Sequence, residues 1–252
     1  MNPLSFVGRP DWRSLLLAAL FVAPALVYFA RGWLGRRPLW LAIGAGALLF
    51  PLSIALVQVP LQGVLGLLAQ MLLGASGVRR YLPLAGAPAM LASGIVQEST
   101  KLLVAAATLQ HLDGRGNRRA GLAAGAAAGA GYGAMEAFWV FNLIFGGGWS
   151  WATVQLLGPE ALVGFFERLY AVPFHVGAAA LAAYGYASGR TWRYLLLAAG
   201  LHSALNYGAL LAAAGIVGLP VVEAWGVLVT ALTVGLAHRL RSRSAGGQVG
   251  YS

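Results

Sequence analysis

Several residues whose types could do chemistry sit inside otherwise apolar stretches. They are Gln97, Glu98 and Lys101 in GIVQESTKLL, and Glu136 in GAGYGAMEAFW. Glu167, Arg168 and His175 follow in FFERLYAVPFHVG, then His202 and Asn206 in GLHSALNYG. Lys101 is the only lysine of the chain. A charge at mid-membrane depth costs about 2.5–3.5 kcal/mol on insertion scales, so such residues face one another or a cavity rather than lipid. Helical spacing gives each a direction. Glu98 and Lys101 are i,i+3 and share a face. Arg168 and His175 are i,i+7, while Tyr132–Glu136 and His202–Asn206 are i,i+4. At a rise of about 1.5 Å per residue, these groups lie roughly 14–25 Å in from one set of helix ends, at overlapping levels. Four polar stripes at one depth are expected to converge on a common interior site.

A carboxylate and an imidazole across a dry cavity can activate water, the carboxylate acting as general base. A second histidine with an asparagine amide can hold a developing oxyanion. That assembly suits peptide hydrolysis inside a membrane. Each residue also has a plainer reading. Glu98–Lys101 could be an internal ion pair that fixes packing, His175 a satisfied core histidine, and Asn206 a helix–helix hydrogen bond or an orienter of His202. Arg168 and Glu167 could snorkel to an interface. The same layer could relay protons in a transporter or serve a catalytically inactive scaffold.

Other schemes find less in the chain. No His-Glu-x-x-His zinc motif occurs. A metal site built across helices from Glu98, Glu136, His175 and His202 remains open, although no cofactor is expected. Ser93 and Ser203 sit in no Gly-x-Ser-x-Gly motif. The two aspartates, Asp11 and Asp113, fall outside the apolar runs. With no cysteine, disulfides and thiol catalysis are excluded.

The elements that must position these groups are helices. Of 252 residues, 59% are hydrophobic and only 10% charged, and mean hydropathy is +0.74. Soluble domains carry about 25% charged residues, so an ordinary globule and a disordered chain are both excluded. Apolar runs at about 14–34, 38–58, 60–77, 83–110, 119–146, 160–189, 194–214 and 219–240 predict an all-α transmembrane bundle of eight spans. It forms a single membrane domain over 1–241, with a disordered tail at 242–252. Uncharged turns are expected near Val59-Pro60, Gly146–Gly148 and Gly218–Pro220. The thirty-five glycines suit close helix packing in lipid.

The net charge of +10 comes from arginines between the runs, the pattern of loops held on the cytoplasmic side against anionic lipid. This predicts a multi-pass protein of the cell membrane with a cytoplasmic C-terminus. No soluble basic face with interleaved aromatics is present, so nucleic acid is not an expected partner. With eight spans, however, the charge rule fails upstream. Either Arg31–Arg37 or Arg9/Arg13 would face outward, and Arg79/Arg80 would too, unless a re-entrant or broken segment lies within 60–95.

The order Glu98-x-x-Lys101, Gly131-Tyr132-Gly133-Ala134-Met135-Glu136-Ala137, Glu167-Arg168 with His175, then His202-x-x-x-Asn206 resembles the PrsW/YhfC group of glutamic intramembrane proteases. These are relatives of the CAAX-prenyl-protease and bacteriocin-processing (CPBP) family. The resemblance covers residues 90–210. It implies a metal-independent membrane protease acting on a membrane-anchored protein or peptide. In that reading Glu98 is the first-motif glutamate that activates water, and Lys101 its basic companion. Glu136 is the second-motif glutamate, His175 and His202 the two histidines, and Asn206 the final polar position. Many relatives carry Glu-Glu where this chain has Gln97-Glu98, so both Glu98 and Glu136 stand as candidates for the base.

Overall fold

The computed structural model describes residues 3–6, 8–112 and 116–246. After a 3-10 turn at Pro3–Phe6, the long helices are α1 (Trp12–Ala30), α2 (Arg37–Ser53), α3 (Val59–Arg80), α4 (Leu82–Leu112) and α5 (Arg118–Gly146). The short α6 (Trp151–Leu157) precedes α7 (Val163–Ala187), α8 (Thr191–Ala213) and α9 (Leu219–Gly246). No strand occurs among the described residues.

Four helical stretches are long and apolar enough to cross a membrane: Trp12–Trp33, Arg37–Arg80, Thr191–Ala213 and Leu219–Ser244. This points to an integral membrane protein. The expected eight spans are not found, for two reasons. First, the runs at 38–58 and 60–77 are one continuous stretch. The expected turn at Val59-Pro60 is instead a π-helical segment, Ile54–Gln58, in which the Val59 N–H reaches back five residues to the Ile54 carbonyl. Pro60 has no N–H to donate, so a widened turn passes it without ending the helix. The break comes later, at Gly74, with φ +67°. Second, α4, α5 and α7 carry the buried charges and many glycines, which lowers their apolarity.

Merging α2 with α3 changes the charge pattern. Arg31 lies beside Arg119 and Arg241, Arg37 beside His111, and Arg190 and Arg193 beside Arg239 and Arg243. All of these occupy one end of the bundle. The other end holds Arg13 and Asp11, whose N–H donates to Asn142 on α5 at 3.1 Å. Asp11 caps α1 by accepting from the Arg13 N–H at 2.8 Å. Its hydrogen bonds to the Arg13 guanidinium hold its carboxyl below the usual range. His238 hydrogen-bonds Tyr28 across α1 and α9. Of the tail expected to be disordered, 242–246 continue α9. The remainder of that tail, with Asp113 and Arg115, lies outside the described residues.

α5 is the axis of the bundle and contacts α1, α2, α4, α7 and α9. Every residue from Ala120 to Gly133 is buried. The close approach depends on glycines four apart. A Cβ added at Gly125 would lie 2.3 Å from the Ala179 carbonyl oxygen of α7, and one at Gly129 2.3 Å from that of His175. On another face, a Cβ at Gly131 would lie 1.9 Å from the Ile43 carbonyl oxygen of α2. Backbones this close gain dispersion contacts that lipid chains do not provide. Outward faces carry exposed Leu41, Leu48, Met71, Leu72 and Leu103.

Gly129→Ala is therefore expected to cost about 1–3 kcal/mol by overpacking. Gly200→Ala, where nothing lies within 4 Å, should be neutral or slightly stabilising. Unfolding in detergent micelles reads both. A Gly129→Ala protein that melts with wild type would show that the α5–α7 contact is looser than described.

Candidate functional site

The polar stripes of α4, α5, α7 and α8 meet. On α4, Lys101 Nζ donates to Glu98 Oε1 at 2.5 Å, and both side chains have 0% exposure. Lys101 Nζ also lies 3.0 Å from His175 Nδ1 on α7 and 5.2 Å from the centre of the Tyr132 ring. His175 Nε2 lies 2.6 Å from Glu136 Oε2 on α5. Arg168 donates to Glu136 Oε1 at 2.5 Å and stands 3.6 Å from Glu167 Oε2. His202 Nδ1 on α8 closes the other side, 2.6 Å from Glu98 Oε1. One chain of polar contacts thus runs His202–Glu98–Lys101–His175–Glu136–Arg168.

Small residues set these distances. Gly94 is one turn before Glu98, and a Cβ there would lie 2.3 Å from the Ala199 carbonyl oxygen. That approach brings α8, and so His202, against Glu98. Gly129 and Gly133 on α5 do the same for His175, whose Cβ would be 3.1 Å from one added at Gly133.

The partners assign the histidine tautomers. An ammonium only donates, so His175 Nδ1 accepts and its Nε2–H donates to Glu136. Both of its nitrogens are engaged. A carboxylate only accepts, so His202 donates through Nδ1–H to Glu98. Among the described residues its Nε2 lone pair has no partner, and it stands on the wall of a cavity.

That cavity, of about 200 Å³, is also lined by Gln97, Glu136, Arg168, His175 and Asn206. Glu136 and Glu98 differ in access to it. The Glu136 side chain is 20% exposed and forms part of the wall, whereas Glu98 is sealed. Glu167, at 34%, lies at a wetter position.

Asn206 does not orient His202. It donates to Ser93 Oγ at 2.9 Å, and Gln97 bonds the same hydroxyl at 3.2 Å and Gln58 at 3.0 Å. An amide carries two N–H groups, so Asn206 keeps a second donor for the cavity it lines. Tyr132 does not bond Glu136. Its hydroxyl pairs with Ser53 at 2.9 Å, while its ring packs 5.6 Å from that of His175. Ser53 and Gln58 are functional-site neighbours that the sequence did not single out, and Ser93, weighed there only as a nucleophile, accepts from Asn206 and Gln97. For Gln58 a signal existed, since a polar residue two before a proline mid-run fits a widened turn.

Glu98, His175 and His202 bring one ligand atom each within 4.8 Å of one another, a spacing that could hold a metal ion. Lys101 argues against it. Its ammonium touches both Glu98 and His175, so a dication there would face a fixed positive charge.

Comparisons with protein-family models, curated proteins and solved structures find no match for this chain.

The sealed pair gives a stability prediction. Lys101→Met leaves Glu98 buried without its cation and should cost about 3–5 kcal/mol. The double Glu98→Leu/Lys101→Met removes both charges and should cost less than the single change. Unfolding in detergent measures both. A double variant less stable than Lys101→Met would contradict the pairing.

Proposed function

We propose that the chain is an intramembrane peptidase of the PrsW/YhfC type, hydrolysing a membrane-anchored protein or peptide in the cavity beside Glu136. The observation that carries this reading is the convergence, on one small cavity, of a carboxylate, an imidazole with an unoccupied nitrogen and a spare amide donor. The motif order Glu98-x-x-Lys101, Glu136, His175, His202-x-x-x-Asn206 supports it as well.

On this reading the residues take the following roles. Water held between Glu136 and His202 Nε2 would lose its proton to one of them as it attacks the scissile carbonyl. Access favours Glu136 over Glu98 as the base, since Glu98 is sealed whereas Glu136 lines the cavity. Glu98 then acts through His202, fixing its ring and tautomer. Asn206 N–H and Arg168 supply donors for the oxyanion. The protonated base returns its proton to the leaving amine. His175 positions Glu136.

The concentration of arginines at one end supports an orientation with that end, and the C-terminus, on the cytoplasmic side of the cell membrane.

The test is cleavage of a panel of single-span membrane substrates by purified protein in micelles. Glu136→Gln is expected to lose about 10²–10⁴-fold in rate with the fold retained, and chelator should leave the wild-type rate unchanged. Loss of activity in chelator, restored by zinc, would replace the base mechanism with a metal site at Glu98, His175 and His202. A wild type that cleaves no panel member but moves protons across vesicles would make the same layer a relay.

A further inference from the structure

Apart from the polar layer, the basic end of the bundle holds a second constructed feature. Arg190 and Arg193, at the start of α8, face Arg239 and Arg243 of α9 across a cavity of about 440 Å³. Arg239 and Arg243 are i,i+4 and so share a face of α9. The floor is apolar, with Leu197 and Leu240 among its residues. A hollow of this size falls within the roughly 300–1,000 Å³ typical of small-molecule sites.

Four guanidiniums around one hollow repel one another, and nothing among the described residues neutralises them. None of the four makes a side-chain ion pair or hydrogen bond. The acidic side chains of the described residues lie elsewhere. Glu98 and Glu136 are in the buried layer, and Asp11, Glu160, Glu167 and Glu223 lie toward the opposite end. A hydrated surface tolerates such a cluster, but here its lower half is apolar. Among the described residues the four arginines have no counter-charge, and an anion seated in the hollow would supply one.

We infer that this cavity binds the phosphate headgroup of an anionic membrane lipid, with its acyl chains leaving over the outer face of α8. Guanidinium forks match phosphate oxygens in paired hydrogen bonds. Basic pockets between membrane helices on the side of the anionic leaflet suit such headgroups. The apolar floor and the exposed Trp192 and Leu196 beside it, 73% and 59% accessible, favour a lipid over a free phosphate, which would gain nothing from them. A second basic hollow at the same end, with Arg31, Arg119 and Arg241, differs in that the Arg241 guanidinium lies over the Tyr28 ring at 4.4 Å.

Native mass spectrometry of the full chain in neutral detergent tests this. Dioleoyl phosphatidylglycerol should add as one saturable adduct, and dioleoyl phosphatidylcholine should not. Arg190→Gln/Arg239→Gln should weaken the adduct about 30-fold, at roughly 1 kcal/mol per arginine. Arg31→Gln/Arg119→Gln removes the same charge from the neighbouring hollow and should leave the adduct unchanged. Thermal melts without lipid check that both variants fold, and Arg243→Gln serves as a second probe if the first double does not. Equal losses in the two doubles would overturn the site in favour of diffuse attraction. Equal binding of phosphatidylcholine, or displacement by inorganic phosphate at matching concentration, would overturn the anionic-lipid assignment.

Discussion

The ammonium of Lys101 is enclosed by the protein and touches both Glu98 and His175. In a bundle bounded by lipid, no solvent can screen that charge, so its counter-charges must come from neighbouring helices. One residue of α4 thereby fixes the approach of α7. Glu98, held by the same ammonium, fixes α8 through His202. His175 passes the constraint to Glu136 and so to Arg168. Removing any member takes a contact from a buried polar neighbour, so the groups depend on one another.

Such a network needs backbones close enough for short side chains to touch. Gly121, Gly125, Gly129 and Gly133 repeat every fourth residue on α5, and α7 lies along that stripe. Gly94 does the same for α4 against α8. Packing and electrostatics therefore support each other. The glycines permit distances at which the charges satisfy one another, and the charges hold together helices that the hydrophobic effect does not drive together in lipid.

The helical class and the convergence of four stripes were legible in the sequence, because i,i+3, i,i+4 and i,i+7 spacings translate directly into shared faces. Which helices would touch was not. Asn206 and Tyr132 had obvious intrahelical neighbours in His202 and Glu136, yet each took a partner on another helix, Ser93 and Ser53. Such choices depend on crossing angles that spacing does not encode. The continuity of α2 and α3 was hidden by Pro60, which normally signals an end. The merged helix puts Arg31 and Arg37 together at the basic end and leaves Arg13 at the other. The glycine repeat of α5 is present in the sequence as a period of four, Gly121 to Gly133.

Two histidines in one layer are held differently, His175 with both nitrogens engaged and His202 with Nε2 open to the cavity. Nitrogen-15 NMR of histidine-labelled protein in lipid nanodiscs reads this directly, with His111 and His238 assigned by substitution. His175 should appear as the Nε2–H tautomer and His202 as the Nδ1–H tautomer, each fixed rather than averaged. Two histidines of the same tautomer, or rings exchanging freely between tautomers, would contradict the network as described.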